Sequence, residues 1–137
     1  KAVATVDAAG KETVKGPGVV KITVKAAATT DYKAASKTVT VTVAPKKQSI
    51  SLVNKIKKQL TIKWKKNTKA SGYQVVYSTN KKFTGKKTVR KAKTTTSYKI
   101  KGLKKGKKYY VKVRSYKTVN GKRIYGAYST AKKATIK

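Results

Sequence analysis

Apolar residues alternate with lysine or threonine along most of this chain. The alternation is clear in six segments, residues 19–24, 38–43, 60–65, 73–77, 109–116 and 123–125. A period of two buries one face of a strand and leaves the other face in water, which is typical of antiparallel sheets. No segment shows a sustained helical period. The pattern therefore predicts an all-β protein.

Turn signals separate these segments. They are Gly16-Pro17-Gly18, Ser71-Gly72, Lys105-Gly106-Lys107 and Asn120-Gly121. An Asn-Gly pair between two strand segments predicts a β-hairpin with a type I′ turn. Many short strands with regular turns are typical of an antiparallel β-sandwich of the immunoglobulin-like kind.

Charge divides the chain into two parts. Residues 1–45 hold seven lysines and all three acids, whereas residues 46–137 hold 27 lysines, three arginines and no acid. Such a shift supports a domain boundary. Pro45 lies at the shift and cannot donate to a strand ladder. We therefore expect one domain at residues 1–45 and another at residues 46–137.

The total charge is extreme, with 37 basic against 3 acidic residues and a formal net charge of +34. Self-repulsion opposes compaction, yet the apolar residues, 38% of the chain, are spread at strand-like spacing. This distribution predicts a folded protein. Lysine outnumbers arginine, which favours a solvated surface with protected sheet edges over a dedicated nucleic-acid reader.

Candidate catalytic chemistry is sparse. The chain has no histidine and no cysteine, the usual ligands and bases of zinc, haem and hydrolase sites. The acids Asp7, Glu12 and Asp31 all lie in the first predicted domain, and the first two flank the Gly10 turn as ordinary hairpin residues. We expect no enzyme, no metal, no cofactor and no small-molecule substrate.

The apolar segments are too short for a membrane span, which needs roughly 18 apolar residues. No signal peptide is visible, and strand-like sequence begins at once after Lys1. We therefore expect a segment of a longer protein.

Three segments in the C-terminal part carry a family pattern. Residues 60–64 (LTIKW) end in a tryptophan, residues 72–78 (GYQVVYS) follow a glycine turn, and residues 103–116 join a leucine and a glycine turn to an alternating strand that Tyr109 opens. Residues 48–137 thereby resemble a fibronectin type III domain.

That resemblance implies roles for individual residues. It makes Trp64 the core tryptophan, and it makes Tyr109 the tyrosine corner, with its hydroxyl bonded to the backbone near Leu103. Residues 126–129 (GAYS) resemble the start of the final strand. Lysine-rich, acid-free modules of this kind occur in large surface proteins of clostridial-type, Gram-positive bacteria, which implies a secreted or cell-surface location.

Residues 1–45 resemble the second half of a bacterial immunoglobulin-like domain of group 2. The similarity lies in residues 3–7, in the segment GVVKITV at 18–24 and in the closing strand at 38–43. A partial sheet leaves an apolar face uncovered and is marginal alone. Two explanations remain open. In the first, the other half of the domain lies upstream or has been lost by truncation. In the second, another chain supplies the missing strands by strand addition. Completion that runs head to tail builds a filament.

Lysines cluster most densely between residues 99 and 108, before and within the Lys105-Gly106-Lys107 turn. The candidates for polyanion binding are Lys99, Lys101, Lys104, Lys105, Lys107 and Lys108. The interleaved tyrosines that could stack on bases or sugars are Tyr98, Tyr109, Tyr110 and Tyr116. The competing interpretation places about half of these tyrosines in the core and the lysines in solvent.

Two functions follow. The first is a non-catalytic structural or adhesive surface module that the anionic cell wall retains and that self-associates through residues 1–45. The alternative is an electrostatic binder of teichoic acid, acidic glycan or nucleic acid.

Overall fold

The computed structural model describes residues 2–137, which form twelve β-strands and no helix. The predicted all-β class is confirmed. The strands are β1 (Ala4–Val6), β2 (Glu12–Val14), β3 (Gly18–Ala26), β4 (Ala35–Val43), β5 (Ile50–Val53), β6 (Leu60–Trp64), β7 (Gly72–Ser78), β8 (Lys87–Ala92), β9 (Ser97–Ile100), β10 (Lys108–Val119), β11 (Lys122–Tyr125) and β12 (Lys132–Thr135). They fall into two compact units, Lys1–Val43 and Ala44–Lys137.

The first unit consists of two antiparallel hairpins. Strand β1 pairs with β2, and the turn between them is held by Asp7, whose Oδ1 accepts hydrogen bonds from the backbone N–H groups of Ala9 (3.1 Å) and Lys11 (2.8 Å). Strands β3 and β4 pair over nine residues each. The unit therefore has two two-stranded sheets.

The β3–β4 hairpin has one polar and one apolar face. Thr23 lies opposite Thr38, and their hydroxyls are 2.8 Å apart on the polar face. The other face, which we call the valine face, consists of Val20, Ile22, Val24, Val39, Val41 and Val43. Two of its members are exposed, Val24 with 63% and Val39 with 47% of its surface in solvent. The other four are half-buried, so alternation has sorted these residues onto one face without fully burying any of them.

The second unit is a two-sheet sandwich. One sheet has the order β5-β6-β9, and the other has the order β11-β10-β7-β8 with β12 also paired to β10. The buried cluster draws on both sheets, because Leu60 and Ile62 of β6 lie in it together with Val75 of β7 and Val113 of β10. Trp64 is also buried there, and its ring lies 5.4 Å from that of Tyr73.

The turns and the last strand test the sequence analysis in detail. The Asn120-Gly121 turn has φ of 48° and 74° and joins β10 to β11, as a type I′ turn requires, so that prediction is confirmed. The predicted start of the final strand at residues 126–129 is wrong, since β12 begins at Lys132.

The reason is an extra residue in the segment before β12. Gly126 N–H donates to Ser115 O and Ser129 N–H donates to Val113 O. Three residue steps along this segment therefore match two along β10, and such a mismatch breaks regular pairing in the manner of a bulge.

Candidate functional site

The six predicted polyanion-binding lysines extend from Lys99 within β9 to Lys108 at the start of β10, and every one of them is exposed. We call residues 99–108 the lysine loop. Its backbone is fixed: Leu103 N–H donates to Lys58 O (3.0 Å) and Gly106 N–H donates to Ile136 O (2.8 Å). Leu103 itself is buried in the core. The loop is thus an anchored segment that presents cations to solvent.

Tyr109 closes this loop. Its ring packs against the core, and its hydroxyl accepts a hydrogen bond from the backbone N–H of Lys104 at 3.4 Å. The distance is long for a strong bond. The contact nevertheless ties the first residue of the alternating strand to the turn after Leu103.

Two shallow grooves border the loop. One, of about 270 Å³, is lined by Lys101 and Lys104 together with Tyr77 and Lys87; the other, of about 570 Å³, is lined by Lys104, Lys107 and Lys108 with Thr79 and Tyr109. The lining residues described for these grooves do not include Lys99 or Lys105. Lys87 comes from β8, so only the fold could reveal its place beside the loop.

Tyr77, which lines the smaller groove, has a shifted pKa. Burial is the main cause that raises the pKa of Tyr77 above its ordinary value, and the neighbouring Tyr98 and Tyr109 add to the shift. Its hydroxyl therefore remains protonated at neutral pH and can donate a hydrogen bond to a ligand there.

The four predicted stacking tyrosines separate into two pairs. Tyr98 and Tyr109 pack against the core, whereas Tyr110 and Tyr116 are half-buried on β10 outside that cluster. Lys112, which is not one of the six candidate lysines, is half-buried, and its Nζ lies over the rings of Phe83 and Tyr128.

Aromatic and cationic side chains alternate on the outer face of the five-stranded sheet. Lys112 Nζ lies 4.1 Å from the ring centroid of Phe83 and 4.4 Å from that of Tyr128. Arg114 Cζ lies 4.4 Å from the Tyr128 centroid and 3.8 Å from the Tyr125 centroid. Cations over ring faces at these distances are attracted by the ring quadrupole.

The series continues onto β11. The rings of Tyr125 and Tyr116 are 5.8 Å apart at an interplanar angle of 59°, and Arg123 Cζ lies 5.5 Å from the Tyr116 centroid. Gly72 makes room for this arrangement, since a Cβ there would lie 2.5 Å from the Tyr116 hydroxyl. We call the whole series the cation–aromatic ladder: Phe83, Lys112, Tyr128, Arg114, Tyr125, Tyr116 and Arg123.

One buried amide orients the middle of the ladder. Gln74 of β7 lies directly across from Arg114 in the sheet and is buried. Its Oε1 accepts hydrogen bonds from Arg114 Nε (2.7 Å) and from the Tyr128 hydroxyl (3.0 Å). The guanidinium is therefore held by an edge bond and by two rings, which fixes its direction.

Sequence reasoning missed the ladder, although one signal pointed to it. The chain has only three arginines, Arg90, Arg114 and Arg123, and all three lie in the five-stranded sheet. Arg90 and Arg114 are both paired with Gln74, so the three residues share one face. Alternation along β10 predicted the outward direction of Arg114, but not Tyr128, which comes from an irregular segment.

Comparison with known proteins identifies the family. The model of the fibronectin type III domain matches residues 43–131, and the chain belongs to this family. No curated protein matches the sequence.

Solved structures show the same fold at low identity. The fn3 domain of human contactin 1 is 16% identical, with 69% of this chain and 80% of that chain covered and a TM-score of 0.59. The chicken CNTN1 FN1-FN3 domains are 16% identical over 93% of this chain and 47% of theirs, again with a TM-score of 0.59. A redesigned β-sandwich protein is 14% identical, covers 66% of this chain and 94% of its own, and gives a TM-score of 0.56.

Membership sets the general class of function. Fibronectin type III domains are commonly structural or adhesive, are generally non-catalytic, and are typically extracellular or surface modules. Within residues 2–137 no helix has the length and apolar character that a membrane crossing requires. The same residues contain no group of three candidate metal ligands of the His, Cys, Asp or Glu type.

Proposed function

We propose that this chain is a non-catalytic structural or adhesive module of a secreted or surface-bound bacterial protein, and that another chain completes its first unit. The observation that carries the proposal is the valine face, where Val24 and Val39 are exposed and the other members are only half-buried. Burying a valine side chain stabilises by about 1.5–3 kcal/mol. A second polypeptide that covers this face therefore gains free energy at each covered position.

Two further features support the surface setting. Residues 1–45 resemble bacterial immunoglobulin-like modules of group 2, which gives the bacterial part of the proposal. The lysine-rich surface carries a formal net charge of +34, and such a surface attracts the anionic polymers of a Gram-positive wall. Wall retention and assembly are thus parts of one proposed role.

The assembly part is tested by the absolute mass of the full chain in light scattering, at low salt and at about 0.5 M salt, where charge effects are screened. We expect a mass several times 15.0 kDa at both salts. The test variant is Val39→Lys on the valine face. Its matched control is Val19→Lys, since Val19 is exposed on the polar face of the same hairpin.

Loss of the assembly in Val39→Lys alone supports completion through the valine face. A monomer of the unmodified chain at both salts contradicts it. Equal loss in both variants also contradicts it, because the added charge and not the face would then be responsible.

A second candidate function is electrostatic binding of polyanions at the lysine loop. It is favoured by the anchored backbone of the loop and by the convergence of Lys87, Lys101, Lys104, Lys107 and Lys108 on two neighbouring grooves. A loop with a fixed backbone loses less conformational freedom on binding than a mobile loop does.

Neutralisation of four lysines tests this candidate. The variant replaces Lys104, Lys105, Lys107 and Lys108 with glutamine, and its control replaces the exposed Lys55, Lys57, Lys65 and Lys66. Each removes four charges. Binding to wall teichoic acid should weaken by at least about tenfold more in the loop variant, with a lower salt slope. Equal weakening in the two variants would mean that total charge, and not the loop, binds.

A further inference from the structure

We propose that the cation–aromatic ladder is a binding site for an acidic polysaccharide, with Arg114 as the residue that pairs with a sugar carboxylate. The ladder lies on the five-stranded sheet, and its residues differ from those of the lysine loop. This inference rests on the proposed function only in that a surface module meets anionic polymers.

The first argument is uncompensated charge. Lys112, Arg114 and Arg123 stand in one series, and the second unit contains no aspartate or glutamate to neutralise them. Lys112 and Arg114 are each 4.4 Å from the centre of the same Tyr128 ring. Their mutual repulsion is relieved when an anion from outside the unit binds between or beside them.

The second argument is preorganisation. Arg114 uses Nε for its bond to Gln74, and two tyrosine rings hold the plane of its guanidinium. The two terminal nitrogens of the fork are the pair that matches the two oxygens of a carboxylate. An arginine held in this way loses little conformational entropy when it forms that bidentate pair.

The third argument separates a polysaccharide from a nucleic acid. Single-stranded nucleic acids bind through bases that stack on open aromatic faces. Here Arg114 lies over the Tyr125 ring, and both Lys112 and Arg114 lie over the Tyr128 ring. A base must displace one of these cations in order to stack. An acidic polysaccharide instead needs spaced cations for its carboxylates and phenol groups for its hydroxyls, and the ladder supplies both in alternation.

The experiment measures the affinity of the full chain for fluorescently labelled oligogalacturonate at three salt concentrations. The test variant is Arg114→Lys, which keeps the charge and removes the fork. Arg123→Lys, at the exposed end of the ladder, is the second variant should the first unfold, as judged by Trp64 fluorescence. Competition with neutral dextran and with single-stranded oligo-dT identifies the class of ligand.

We expect Arg114→Lys to weaken oligogalacturonate binding by about tenfold at each salt, with an unchanged slope of log K against log salt, because the number of charges is unchanged. If Arg114→Lys unfolds, a loss of more than about twofold in Arg123→Lys carries the same conclusion. Dextran should not compete, and oligo-dT should compete only weakly, because its bases cannot stack on rings that cations cover.

The inference is overturned if the folded variant binds oligogalacturonate within about twofold of the unmodified chain. It is also overturned if Arg114→Lys weakens the binding of oligo-dT but not the binding of oligogalacturonate. The four-lysine loop variant keeps the two proposals apart: a loss there without a loss in Arg114→Lys removes only the ladder site. Unchanged binding in both variants removes polyanion binding at both sites and leaves the assembly proposal to its own test.

Discussion

The two units use the same alternating sequence pattern with opposite results. The described apolar core consists of residues of the second unit, such as Leu60 and Val113, which are completely buried. Of the large apolar side chains exposed in residues 2–137, all but Ile56 belong to the first unit. Both units contain strands of valine or isoleucine alternating with lysine or threonine. Alternation therefore determines which face is apolar, and only a facing sheet makes that face a core.

The two units also differ in the balance of their charges. The acids Asp7, Glu12 and Asp31 lie in the unit without a core, whereas the well-packed unit combines 27 lysines and three arginines with no acid. Packing between two sheets must offset this repulsion in the second unit. A facing sheet, and not charge balance, therefore decides which unit has a buried core.

The largest expected effect comes from removing core volume. Leu60→Ala should lower the free energy of unfolding of the second unit by about 2–5 kcal/mol, because Leu60 is fully buried and a cavity remains. Val39→Ala on the valine face should change it by less than about 0.5 kcal/mol. Urea unfolding of the full chain, followed by the fluorescence of its one tryptophan, Trp64, measures both.

A cost for Val39→Ala close to that of Leu60→Ala would break the comparison. Such a result would mean that the valine face is already covered and is coupled to the unfolding of the second unit. A shift in the midpoint without a change in slope identifies a pure stability effect in either variant.

Salt should have an intermediate effect on the thermal stability of the second unit. Because the second unit has no acid, screening should stabilise it, and raising NaCl from about 0.02 M to 0.5 M should raise its melting temperature by about 4–8 °C, equivalent to about 1 kcal/mol. Lys86→Glu combined with Lys93→Glu places two acids beside β8 and should reduce this gain. Melting that is independent of salt in the unmodified chain would show that the lysines are too well solvated to repel one another.

The smallest effect concerns Tyr77 at alkaline pH. Its raised pKa means that the unfolded chain ionises this tyrosine first as pH rises past about 10. The contribution of Tyr77 to stability is therefore complete below pH 10 and is lost as pH rises through the folded-state pKa. Tyr77→Phe should show a stability difference from the unmodified chain that shrinks between pH 9 and pH 11 in thermal melts. A difference that stays constant over this range would contradict the raised pKa.

The strands that sequence reasoning identified are those in which apolar positions recur. Residues 109–116 and 38–43 lie within β10 and β4. Strands β8 (KTVRKA) and β12 (KKAT) have too few apolar residues to show an alternating pattern. Both are mostly exposed, as is typical of strands at the edge of a sheet. The position of such a strand is determined by its pairing with a neighbouring strand, and not by its own sequence pattern.

The candidate sites divide in a similar way. The exposure of Lys101 and Lys104 followed from local sequence, since both lie in the loop between β9 and β10. The contact of Tyr128 with Arg114 did not, because it depends on a bulged segment and on Gln74, forty residues away from Arg114. Local patterns report the direction of a side chain within its own strand, while the neighbours it meets are set by the register of the whole sheet.

The composition of the second unit also decides what can regulate it. Between pH 5 and pH 8 the side chains that change charge in proteins are mainly histidines and, at the lower end, carboxylates, and residues 44–137 contain neither. Acidification of the surroundings therefore leaves the charge of this unit constant. If this unit binds a polyanion as proposed, added salt should weaken the binding, whereas acidification between pH 8 and pH 5 should leave the protein's own contribution to it unchanged.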